Sequence, residues 1–121
     1  MLRVRVPFIA QIMDQVREKI SNQLIEMGYE DSLFLDEFKY WDEAIIGVST
    51  SGNLIYSYDL LVDKYVKQMI EENPSGDIET FETDAIEFIE TNTLKSLPFI
   101  TTGVPPIIMY ENIICQFEGE L

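Results

Sequence analysis

Between Glu71 and Glu90 the chain carries eight carboxylates, Glu71, Glu72, Asp77, Glu79, Glu82, Asp84, Glu87 and Glu90, and no Lys or Arg. Charges of one sign crowded along a short stretch create a field that attracts a cationic partner and speeds its arrival. On a helix, carboxylates on successive turns lie about 5 Å apart. Duplex DNA carries about one charge per 1.7 Å of axis, so a rigid acidic helix could stand in for part of a nucleic-acid backbone. The same carboxylates would equally serve as a solvated face that keeps a small protein in solution.

The span Glu71–Glu82 also resembles a calcium-binding helix–loop–helix segment. Glu71, Asn73, Ser75 and Glu79 supply oxygens at loop positions one, three, five and nine, Gly76 stands at six, and Glu82 stands at twelve. Glu at the first position and Pro74 inside the loop depart from that pattern. The alternative is an acidic connection between two helices.

Catalytic chemistry has little to work with. The chain has no His, which removes the usual general base and the commonest zinc ligand. Ser49, Thr50 and Ser51 therefore lack an activating partner, and no Gly-rich phosphate loop opens a helix. Cys115 sits between Glu111 and Glu118, whose charge disfavours a thiolate. Paired carboxylates occur, but at this acidity pairs arise by chance. No enzyme, cofactor or firm metal site is expected.

Composition narrows the partners. Of 121 residues, 22 are Asp or Glu and 8 are Lys or Arg, a net charge of -14. Direct binding to nucleic acid or to an anionic membrane surface is disfavoured, because both are polyanions. A basic protein partner is favoured instead. No apolar run reaches the roughly 20 residues that span a bilayer, and the start, MLRVRVPFIAQIM, is not read as a signal peptide. One Cys cannot form an internal disulfide, so a reducing cytoplasm is expected. Hydrophobic residues make up 46% of the chain, enough for one compact domain over 1–121.

The elements that would position these residues follow from periodicity. Ile9, Ile12, Met13, Val16, Ile20, Leu24 and Met27 recur at steps of three and four, predicting a helix over 7–27 with Pro7 in its first turn and Gly28 past its end. Leu33-Phe34-Leu35 reads as a short strand. Two β-rich runs flank Ser49–Asn53 and predict a hairpin over 44–58, with Gly52 in the turn. Asp59 is the expected N-cap of the helix that follows, and Asn73-Pro74-Ser75-Gly76 stops it. Another helix is expected from Thr80 or Thr83, with Asn92 on its apolar side clipped to backbone and Pro98 ending the next turn. Residues 107–110 read as an edge strand because two prolines precede them. The fold class is α+β, a small antiparallel sheet packed by helices. The aromatics Phe34, Phe38, Tyr40, Trp41, Tyr56 and Tyr58 are assigned to the core.

Three stretches carry a resemblance: AIIGVSTSGNLIYSYDLLV, DAIEFIETNTLKSLPF and PPIIMY. Together they are similar to a family of small acidic proteins encoded in phages, prophages and mobile elements of Gram-positive bacteria. The match runs from Ala44 to Tyr110, with Gly47, Gly52, Tyr56, Tyr58, Asp59, Ala85, Ile86, Glu87, Asn92, Thr93, Leu97 and Pro98 on pattern positions. Ser57 stands where the pattern often has Asp, Thr91 replaces a Tyr, and Lys95 replaces an Arg. The long N-terminal helix and the loop Asn73–Phe81 are also less typical. The resemblance implies a bacterial-host setting and, for small acidic phage proteins of this kind, inhibition of host defence, as by anti-CRISPR or antirestriction proteins. The expected function is a non-enzymatic inhibitor whose acidic strip enters the basic channel of an RNA-guided nuclease. The alternative is a phage interaction or scaffolding module without nucleic-acid mimicry. A homodimer through the N-terminal helix remains open.

Overall fold

The computed structural model describes residues 8–111, with side chains from Gln15 onward. The expected ends of the chain, including Pro7 and Cys115, lie outside the described residues. Helix α1 spans Phe8–Glu26, and strands β1 (Ile45–Val48) and β2 (Leu54–Ser57) form the hairpin. Helices α2 (Tyr58–Glu72) and α3 (Ile78–Phe88) follow, then a π-helical turn (Ile89–Thr93), a single helical turn (Leu94–Ser96), a 3-10 turn (Leu97–Phe99) and strand β3 (Ile107–Met109). The class is α+β, as the periodicity indicates. Among the described residues no helix is long and apolar enough to cross a membrane.

The sheet order is β1-β2-β3. The hairpin is antiparallel, but β3 runs parallel to β2, so the sheet is mixed rather than wholly antiparallel. Parallel pairing needs a crossover, and the long passage through α2 and α3 supplies one. The ladder of β1 is irregular between Ile45 and Gly47. That irregularity lets Ile45 and Val48, three residues apart, both pack inward. Leu54 and Tyr56 of β2 are fully buried beside them, and Ile108 of β3 joins the same side. Leu33-Phe34-Leu35 forms no strand. The Leu35 N–H donates to the buried Tyr56 hydroxyl at 2.8 Å, and the one ladder contact nearby is an isolated bridge from Ser32 to Val104.

Two glycines close turns that other residues would strain. Gly28 follows the end of α1 at φ +84, and Gly52 sits at φ +87 where an added Cβ would run into the Tyr29 ring. The remaining turn chemistry comes from Ser49, whose hydroxyl donates to Asn53 Oδ1 at 2.7 Å and accepts from the Ser51 and Asn53 amides. Asn53 Nδ2 then donates to the Pro105 carbonyl at 2.8 Å, tying the hairpin turn to the approach of β3.

The helix starts differ from expectation. Ser57, not Asp59, caps α2: its hydroxyl accepts from the Leu60 N–H at 3.2 Å, and Asp59 falls inside the first turn. The last strand residue and the helix cap are thus the same side chain. Helix α3 begins at Ile78, before Thr80, because the turn from Asn73 to Gly76 is tight and the Phe81 N–H already donates to the Asp77 carbonyl. A Cβ at Gly76 would overlap the Phe81 ring.

The core is aromatic. Tyr40, Trp41 and Tyr56 are fully buried, with Leu54, Leu61 and Ile89 around them. Phe38 is the hub, with ring centroids 4.9 Å from Trp41, 4.8 Å from Tyr65 and 4.9 Å from Phe88. The Tyr65 and Phe88 pairs are edge-on and the Trp41 pair is tilted, and such pairs add to the stability that area burial alone gives. Trp41 spends its one donor on the Leu61 carbonyl at 3.1 Å. Helix α1 is held to this body by Arg17, which donates to Asp42, Asp36 and the Leu35 carbonyl and lies over the Phe34 ring at 4.4 Å.

Candidate functional site

The packing of α3 sorts its residues. Phe81, Ala85 and Ile89, at steps of four, are buried, and Phe88 is half-buried beside them. At about 100° per residue, the opposite arc holds Glu79, Glu87 and Glu90, with Glu82 on one flank and Asp84 on the other, beside Tyr65 of α2, all exposed. Exposed Ile86 lies among them. From Glu79 to Glu87 the carboxylates run along about 12 Å of axis. The side-chain carboxylates of Glu79, Glu82, Asp84 and Glu87 have no hydrogen bond or ion pair among the described residues, although the Glu79 and Glu87 carbonyls accept from the Thr83 and Thr91 hydroxyls.

The other carboxylates of the strip are engaged internally. Tyr40 donates its hydroxyl to Glu71, Oε1 at 2.6 Å, and Lys39 Nζ lies 3.3 Å from that oxygen. The Tyr40 bond, with help from Lys39, holds the Glu71 carboxyl below its ordinary range. Glu72 accepts from Gln68 Nε2 at 2.9 Å, and Asp77 Oδ2 accepts from the Thr80 hydroxyl at 2.9 Å. Glu90 accepts from the Tyr58 hydroxyl at 3.0 Å. Burial first, then this bond to an anion, pushes the Tyr58 phenol up to about 12. Tyr58 also packs against Tyr110, with centroids 4.8 Å apart. The eight expected residues are therefore all exposed, but Glu71 belongs to a local ion network and the outward charge concentrates on α3.

The bases sit elsewhere. Lys64 pairs with Glu43 at 3.1 Å, Lys67 approaches the same carboxylate at 3.9 Å, and Lys67 also lies 4.3 Å from the Tyr40 ring centroid. With Lys39 and Glu71 they form a mixed-charge cluster around Tyr40 that sequence reading missed. Its only trace in the sequence is Lys64 and Lys67, three apart on one helix face.

The calcium reading needs a twelve-residue loop. Helix α2 continues through Glu72 and α3 begins at Ile78, so Glu71, Glu79 and Glu82 lie within helices and five residues, 73–77, connect them. Among the described residues no group of three or more Asp, Glu, Cys or His converges on a point that could hold a metal ion. Asn92 is exposed and its amide reaches only the Thr91 hydroxyl, 3.3 Å away, so it clips nothing to backbone. The buried residues of that turn are Ile89 and Thr93, and the Thr93 hydroxyl has no partner among the described residues. Gly47 lies exposed in β1 with open space where a Cβ would stand, and Pro98 sits within the 3-10 turn.

No protein-family model, curated protein or solved structure matches this chain. Its functional reading therefore rests on the arrangement of α3 and its surroundings. A second surface feature is apolar: Ile20, Leu24 and Met27 of the α1 end face Ile46, Val48 and Leu54 across a groove beside β1, an edge strand.

Proposed function

We propose that this protein is a non-catalytic inhibitor, phage-encoded in origin, that occupies a basic nucleic-acid groove of a bacterial defence protein, with an RNA-guided nuclease as the target class. The observation carrying this reading is the outer face of α3 and of the π-helical turn that continues it, where Glu79, Glu82, Glu87 and Glu90 are exposed and neither segment holds a base to neutralise them. A cationic channel built for a polyanion would be drawn to such a face by the same charge attraction. Binding would be stoichiometric and would weaken as salt screens the charges.

The test is a cleavage assay with a panel of purified RNA-guided nucleases and excess protein. Inhibition of at least one nuclease, lost when Glu79, Glu82, Glu87 and Glu90 are changed together to Gln in a variant with unchanged circular dichroism, supports the proposal. Undiminished cleavage across the panel overturns it, as does inhibition that survives the four substitutions.

The alternative, an interaction or scaffolding module of the phage life cycle, is favoured by the open edge of β1 over its apolar groove. Apolar docking persists at ionic strengths well above about 0.15 M, where a charge-driven complex is lost.

A further inference from the structure

We draw no further inference here: the strongest candidate, the apolar groove between the end of α1 and the open edge of β1, is an unpartnered face, and nothing in the structure shows what covers it.

Discussion

Arg17 grips Asp42 with two hydrogen bonds, Nε to Oδ2 at 2.9 Å and Nη2 to Oδ1 at 2.7 Å, and so fastens α1 to the 3-10 turn Trp41–Ala44 that precedes β1. The pair is lopsided in its environment. Asp42 has 9% of its side chain open to water and Arg17 has 37%. Removing the guanidinium leaves a nearly buried carboxylate without its partner. The loss for a fully buried pair would be about 3–5 kcal/mol, and the exposure of Arg17 reduces it. Arg17→Met should cost about 2 kcal/mol in urea unfolding, with faster amide exchange along α1. A change below about 0.5 kcal/mol would show that apolar contacts alone seat the helix.

Alkaline pH should weaken the fold. Burial pushes the Tyr40 and Tyr58 phenols up to about 12, and each donates to a carboxylate. An unfolded phenol titrates near about 10. Because the folded value is the higher one, the stabilisation is full below about pH 10 and is lost as pH climbs toward 12. Urea midpoints should fall between about pH 10 and 12, with the 295 nm tyrosinate signal appearing together with unfolding. A flat midpoint across that window would contradict the burial of these hydroxyls.

The two candidate caps of α2 can be separated. Ser57→Ala removes the acceptor for the Leu60 N–H and should cost about 1 kcal/mol. Asp59→Ala leaves that acceptor in place. Amide exchange at Leu60 should speed up in Ser57→Ala and stay slow in Asp59→Ala; the reverse pattern would restore Asp59 as the cap.

Much of this arrangement was legible in the residues, and the misses have physical causes. The stripe from Val16 to Met27 and Gly28 placed α1, and Ser49–Asn53 placed the hairpin, because both signals are local. The direction of β3 is not local. Ile107–Met109 reads the same whether it runs parallel or antiparallel, and the crossover decides it. Ser57 was hidden because its strand position gave no hint that it also begins a helix. On the site, charge spacing identified the acidic stretch, but the Tyr40 hydroxyl that engages Glu71 comes from 31 residues away and leaves no trace in any sequence window.

Gly52→Ala offers a test of the hairpin turn. At φ +87 a side chain is strained, and the added carbon would stand 2.8 Å from Cδ1 of Tyr29. A loss of about 1–2 kcal/mol is expected from the backbone conformation alone. An unchanged melting temperature would mean that Tyr29 and the turn rearrange together at no cost.

The unneutralised face of α3 should itself be costly. Glu79 with Glu82, and Glu87 with Glu90, are like charges three residues apart. Changing Glu79, Glu82 and Glu87 to Gln should raise the melting temperature at low salt, and the gain should vanish near 1 M, where screening reaches about 3 Å. A lower melting temperature would indicate that these carboxylates stabilise the helix.

The wide turn at Ile89–Thr93 sets the phase of everything beyond it. In an ideal α-helix each step of four residues overshoots a full rotation by about 40°, so the seam begun at Phe81, Ala85 and Ile89 would wind steadily off the body. Uninterrupted winding would have carried Asn92 inward and Thr93 toward the rim. The looser π rotation winds back, turning Asn92 to water and keeping Thr93 and Leu97 on the seam. The Thr93 hydroxyl, without a partner among the described residues, is the residue of that correction, and in return Thr93 and Leu97 keep contact with the core beyond the turn.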